Sequence, residues 1–254
     1  MKVKKEIGRS MKFKKRIRQV KSKAELKYLI PIDIKQKKPT TVTKHELEMI
    51  DQLCELDPIF DGDPNKFLIL ESRIKWQQSV IDFVKIKGLW AEFGVREGSS
   101  IGWVLDKKPG TVIHGFDSWE GLPENWETGG QKFEKGSMAV AMPQFPDNVK
   151  LHKGWFKDTI APWKEHNKGP IAYLHIDSDL YSSAKCVLEG LNDMIVPGTL
   201  IVFDEFCNFR LSGKMSKWTE GEWRALHEWL IDYSRQVKPV ARSCMYQAAF
   251  EVIN

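Results

Sequence analysis

The stretch 89–100, LWAEFGVREGSS, constrains this chain more than any other part of it. Leu89, Trp90, Ala91 and Phe93 read as a buried strand, Gly94 and Gly98 mark a sharp turn, and a helical pattern begins at Ser99. A strand that turns on glycines into a helix N-terminus presents unpaired backbone N–H groups to whatever lies in front of it. Glycine is needed where a chain bends tightly or lies close against a ligand. The spacing is G-x-x-x-G, with Glu92 where a dinucleotide-binding fingerprint would have its first glycine. Alone, the stretch is either a tight βα turn or one wall of a ligand site.

From Trp90 onward, near-continuous apolar strands alternate with helices. Strands are predicted over residues 111–116, 149–152, 171–176 and 199–203, with a terminal strand pair at 236–242 and 245–253. Helices are predicted over 99–105, 182–194 and 219–233, the last with Thr219 and Glu222 as a capping box. Two further helices precede the sheet, over 43–56 (Thr43 and Glu46 as capping box) and 67–84. Turn residues Asp57-Pro58 and Asp61-Gly62-Asp63-Pro64 separate them. Strands buried on both faces and joined by helices form parallel sheets. The expected fold is therefore α/β: a doubly wound, mostly parallel seven-stranded sheet with an antiparallel edge strand and N-terminal helices.

The net charge of +5 is unevenly spread. Residues 1–23 hold eleven Lys/Arg and one acid, so the remaining chain is mildly acidic. A nucleic-acid-binding core is disfavoured, because no basic face is forced on the folded body. The expected organisation is a basic, flexible tail over 1–40, a helical segment over 41–88 packing on the core, and a catalytic domain over 89–254. Phe13, Ile17 and Val20 recur at helical spacing in the tail, which suits weak contact with an anionic membrane surface. No apolar run reaches the ~18–20 residues that span a bilayer. The four cysteines form no CxxC pair and fit reduced, buried thiols in a cytoplasmic protein.

In a doubly wound sheet, ligands bind at the carboxyl ends of the strands. Here the strands end in Gly94, Asp117, Gly154, Asp177 and Asp204-Glu205. Asp117 suits an acid that accepts hydrogen bonds from ribose hydroxyls, or a turn aspartate before Ser118. Glu92 beside a diphosphate would be repulsive, which disfavours a nicotinamide cofactor. A cationic donor without phosphate suits it better, and S-adenosylmethionine carries both a sulfonium and an ammonium.

Five ordered segments, AEFGVREGSS, HGFDSWEGLPE, KGWFKDTIAP, HIDSDLYSSAK and GTLIVFDEF, resemble the macrocin O-methyltransferase family of class I, Rossmann-like S-adenosylmethionine-dependent methyltransferases. The resemblance covers roughly residues 65–252. It implies that Glu92, Gly94, Gly98, Ser99 and Ser100 line the methionine end of the cofactor, that Asp117 and Ser118 hold the ribose, and that Gly154, Trp155 and Phe156 neighbour the adenine. It also implies Mg²⁺ on Asp177, Asp204 and Glu205. Asp177, or a nearby His, is then expected to take the acceptor's proton. The second acid of the pair is Asp in most of the family and Glu205 here. Carboxylates suit Mg²⁺, which favours hard oxygen ligands. Asp179 is expected instead as the N-cap of the helix that follows.

The long segments 119–148 and 206–218 read as acceptor-binding loops, with Trp119, Trp126, Phe133, Phe206, Phe209 and Trp218 either stacking on a sugar or ring or completing the core. His152, His175 and His227 are read chiefly as structural. The expected function is methyl transfer to a hydroxyl of a small sugar-bearing or polyhydroxylated metabolite, with a homodimer by family analogy. The alternatives are metal-independent N- or O-methylation, or a non-catalytic S-adenosylmethionine-binding scaffold tethered by the basic tail.

Overall fold

Strand β6 (Ile171–Ile176) is buried at every position, and the molecule is layered around it. A computed structural model describes residues 43–56, 69–128, 130–208 and 217–254. The basic tail, the turn residues 57–64 and Phe209 lie outside the described residues.

Seven strands form one sheet in the order β5 (Val149–Lys153), β2 (Ile113–Asp117), β1 (Leu89–Phe93), β6, β7 (Leu200–Phe203), β9 (Ala248–Val252) and β8 (Val237–Arg242). β9 runs antiparallel to both neighbours, and the other pairings are parallel. The chain leaves β1 towards one edge and returns through β6 towards the other. The switch point of the topology therefore lies between β1 and β6, where a crevice opens at the strand ends.

The strands carry apolar residues towards both faces. Phe93, Phe116, Leu174, Ile176 and Phe203 pack with helices α4 (Phe156–His166), α5 (Tyr181–Gly190) and α6 (Glu222–Asp232) on one side. Tyr173, Val202 and Ile113 pack with α2 (Ile69–Val80) and α3 (Ser99–Lys107) on the other. Helix α1 (Lys44–Glu55) opens on the Thr43–Glu46 capping box and lies on the first face. Arg242 Nε donates to Leu56 O at 3.1 Å and Trp223 Nε1 donates to Glu46 Oε1 at 3.0 Å, tying α1 to the sheet domain.

Three local expectations are corrected. Helix α4 was hidden by Pro162, which cannot donate an N–H yet sits inside it; Ile160 and Trp163 hold the helix by burying one face. The helix expected over 219–233 divides into a 3₁₀ turn (Trp218–Glu220) and α6, with Gly221 as its N-cap residue and no side-chain cap. The long segment after β2 contains a small hairpin, β3 (Trp126–Thr128) with β4 (Gln131–Phe133), whose Trp126 and Phe133 rings stack at 5.2 Å.

Candidate active site

The crevice between β1 and β6 holds a cavity of about 760 Å³, within the size range of small-molecule sites. One wall is backbone. Gly94 has φ +97°, and a Cβ there would lie 1.7 Å from the carbonyl oxygen of Asp177. Only glycine lets β1 and β6 come this close at the switch point. Gly98 (φ +80°) precedes α3, whose first residues Ser99 and Ser100 face the cavity. The helix start thus presents its unpaired N–H groups to the space.

Asp117 fastens this wall to the next loop. Its Oδ2 accepts from the Arg96 backbone N–H at 2.8 Å, and its Oδ1 accepts from that of Trp119 at 2.7 Å. Trp119 returns its indole N–H to Arg96 O at 2.9 Å. Asp117 and Ser118 line the cavity, as do Trp155 and Phe156 at the start of α4.

Glu92 and Gly154 do not line it. Glu92 is 1% exposed and lies behind the wall, where Ser100 Oγ donates to its Oε1 at 2.6 Å and His175 Nδ1 shares a 2.9 Å hydrogen bond with its Oε2. Both carboxylate oxygens are thus engaged by the protein, and Glu92 acts on the cavity by orienting Ser100. Burial opposes charge on His175, but the Glu92 hydrogen bond and the carboxylates around it raise its pKa on balance. Gly154 (φ +144°) turns the chain after β5 and donates its N–H to Asp117 O at 2.9 Å.

The opposite wall is acidic. Asp177, Asp179 and Glu205 line the cavity, and buried Asp204 stands beside them. Asp179 is not a helix cap: Leu180 takes that position, with no side-chain cap. Asp179 instead adopts φ +59°, a conformation that non-glycine residues rarely hold, and it lines the cavity. Burial, then the charge of Asp204, pushes its pKa up to about 6. Desolvation and neighbouring carboxylates likewise raise Asp177, Glu205 and Glu222 well above the ordinary carboxylate range.

Glu222, expected as the far half of a capping box, points inward from the first turn of α6. Its Oε2 accepts from the Glu205 N–H at 3.0 Å, and its Oε1 lies 3.5 Å from the Ser178 N–H. It therefore bridges the two loops that carry the acids. Its helix-start position disguised it as a cap, and no spacing rule connects it to residues 177–179.

Ligand atoms of His175, Asp177 and Asp204 lie within 4.8 Å of one another, a grouping that could hold a metal ion. The geometry thus offers His175 as a third donor in place of the expected Glu205. His175 Nε2 and Glu205 Oε2 are buried without hydrogen-bond partners. Arg73, from α2, reaches the same acids: its Nη2 lies 2.5 Å from Asp204 Oδ2 and 3.6 Å from Asp177 Oδ2.

On the acceptor side the aromatics divide. Trp126 lines the cavity, whereas Trp119, Phe206 and Trp218 are core residues. Trp103, Lys135 and Met138 line it without having been expected there. His227 bonds to the Trp223 carbonyl, and His152 pairs with His114 at 3.0 Å; neither lines the cavity. None of the four cysteines is in a disulfide, and no helix among the described residues is long and apolar enough to cross a membrane.

Residues 91–206 match a family described as a methyltransferase domain. The matched segment runs from β1 to the loop after β7 and contains every residue that lines the cavity except Arg73. A curated relative from Streptomyces olivaceus, 8-demethyl-8-(2,3-dimethoxy-alpha-L-rhamnosyl)-tetracenomycin-C 4'-O-methyltransferase, is 30% identical over 35% of this chain and 40% of its own length. The chain thus spans well under half of the relative it matches. Among solved structures, the calicheamicin methyltransferase CalS11 is 16% identical with a TM-score of 0.56, covering 95% of this chain and 91% of that one. The O-methyltransferase NovP is 17% identical with a TM-score of 0.54, covering 72% and 80%. These likenesses establish the fold. The fold is the Rossmann-like doubly wound sheet of those structures, and residues 91–206 are similar to a methyltransferase domain.

Proposed function

We propose that this protein is an S-adenosylmethionine-dependent O-methyltransferase acting on a hydroxyl of a small, sugar-bearing or polyhydroxylated acceptor, in the manner of the macrocin O-methyltransferase family. One observation carries the reading: a single cavity has a glycine-built helix start with a ribose-suited acid on one wall and a cluster of raised-pKa carboxylates on the other. The sugar-directed name of the S. olivaceus relative supports the acceptor class.

Gly94, Gly98, Ser99 and Ser100 would receive the methionine end of the cofactor, Asp117 and Ser118 the ribose, and Trp155 and Phe156 the adenine. Glu92 would contribute by holding Ser100. S-adenosylmethionine supplies, when bound, a methyl group on a sulfonium that leaves as a neutral thioether. The protein's part is to bring the acceptor oxygen in line with that methyl and to keep water out. Asp177 and Asp179 both line the cavity; with a pKa of about 6, near working pH, Asp179 is the better proton acceptor, while Asp177 is ion-paired with Arg73.

The acidic wall suits a divalent cation, Mg²⁺ by its oxygen donors. His175 Nε2 and Glu205 Oε2, buried without hydrogen-bond partners, are donors that a bound cation would satisfy. Asp177 and Asp204 would hold the ion, with His175 nearest to complete the set. When bound, such an ion eases loss of a hydroxyl proton.

Calorimetry with S-adenosylhomocysteine and with NAD, each with and without Mg²⁺, tests the assignment. Binding of S-adenosylhomocysteine alone is expected; tight NAD binding without it would overturn the reading. Methyl transfer that survives complete chelation would leave the transferase standing and remove the cation.

A further inference from the structure

Arg73 binds two of the three residues that could hold a divalent ion. Its Nη2 takes Asp204 Oδ2 at 2.5 Å and approaches Asp177 Oδ2 at 3.6 Å. The other oxygen of Asp204 is already used: Oδ1 accepts from Gln247 Nε2 at 3.1 Å, and Gln247 is fixed in turn by Ser243 Oγ at 2.6 Å. Asp204 is therefore clamped from the β8–β9 side with its remaining oxygen aimed at the guanidinium. A dication and a guanidinium on the same carboxylate oxygen repel each other, so each weakens the other's hold on it.

Arg73 also has a way out. Its side chain is 36% exposed and lines the cavity. The next turn of α2 is anchored independently: Trp76 is 1% exposed, Gln77 donates to the Tyr173 hydroxyl, and Gln78 Nε2 donates to Trp103 O at 3.4 Å. The side chain can leave while the helix stays.

We propose that Arg73 is a displaceable internal cation: it holds the Asp177–Asp204 pair together in the metal-free protein, and a divalent ion enters only by expelling it. The inference rests on the divalent-cation reading above. Arg73 is here a positioning residue that sets the affinity and entry of the ion, and it stabilises the acids when the ion is away.

The test titrates Mn²⁺ into the full chain, following free Mn²⁺ by electron paramagnetic resonance, for wild type, Arg73→Met, Arg73→Lys and Asp204→Asn. Thermal melts verify that each variant is folded. Arg73→Met is expected to bind Mn²⁺ at least ten-fold more tightly than wild type, Arg73→Lys to fall between them, and Asp204→Asn to lose binding. In ¹⁵N-arginine-labelled wild type, the Nε–Hε resonance missing from Arg73→Met is expected to move to a solvent-like position on adding Mg²⁺. If Arg73→Met fails to fold, Arg73→Lys and the resonance carry the test. Equal or weaker Mn²⁺ binding in the folded Arg73 variants, or a resonance unmoved at saturating Mg²⁺, overturns this inference and leaves the cation site in place. Absence of Mn²⁺ binding in wild type and every Arg73 variant overturns the cation site itself, and this inference with it.

Discussion

The two walls of the cavity are built on opposite physical terms. The β1–β2 wall is made of backbone and satisfied hydrogen bonds: Gly94 and Gly98 shape it, Asp117 accepts two backbone N–H groups, and Glu92 spends both oxygens on Ser100 and His175. The β6–β7 wall gathers Asp177, Asp179, Asp204, Glu205 and Glu222 in a space where burial and mutual repulsion raise most of them towards neutrality. The first wall is preorganised to bind and the second is held under tension. Binding favours a surface that need not rearrange, while proton transfer and cation capture need groups whose charge the site can change.

The sharpest way to break the first wall is Gly94→Ala. A methyl group 1.7 Å from the Asp177 carbonyl oxygen, at φ +97°, must push β1 from β6. A loss of about 3 kcal/mol or more is expected, read by urea denaturation, together with loss of S-adenosylhomocysteine binding. Unchanged stability would show that the wall is not rigid. A smaller effect is expected from Asp117→Ala. It removes charge-assisted hydrogen bonds of about 1.5–3 kcal/mol, so cofactor binding should weaken ten-fold or more while the fold survives, as calorimetry and melting would report.

The second wall should answer in the opposite sense. Asp179 has a folded pKa of about 6 against a model value of 3.8, so the folded form binds its proton more tightly. Its contribution to stability is fullest below pH 3.8 and is lost as pH rises through 6. Asp179→Asn should therefore raise stability at pH 7 by about 1–3 kcal/mol while reducing methyl transfer. With Asp179 as proton acceptor, the wild-type rate should climb with pH up to about 6 and then level off; the variant should lack that limb. A variant less stable at neutral pH would show that Asp179 is not under tension. The smallest effect belongs to a site outside both walls. Thr43→Ala removes the capping box of α1 and should cost about 1 kcal/mol with no change in cofactor affinity.

The same contrast divides what could be read in advance. The first wall was legible because its logic is local: strand 89–93, the glycine turn and the helix start follow one another in the chain, and Asp117 closes the next strand. The orientation of Glu92 was not, since a strand position does not say which partners wait across the sheet; Ser100 and His175 take its oxygens from another helix and another strand. The second wall was legible only in part. Acids at strand ends pointed to Asp177, Asp204 and Glu205, but Asp179 was masked by its resemblance to a helix cap and Glu222 by its resemblance to a capping-box partner. Arg73 carried no signal, because it lies 104 residues from Asp177 and 131 from Asp204 and meets them only when α2 packs beside the sheet.

Sequence alone determined the layered architecture, since strand and helix periods are local consequences of side-chain pattern. It also placed the glycine turn and the strand-end acids on one rim, because a doubly wound sheet leaves them nowhere else. Tertiary structure alone decided which oxygens face the cavity, which acids share one low-dielectric space, and which cation answers them. Those are matters of long-range distance and burial, and the Coulomb energy that shifts a pKa depends on separation in space rather than along the chain.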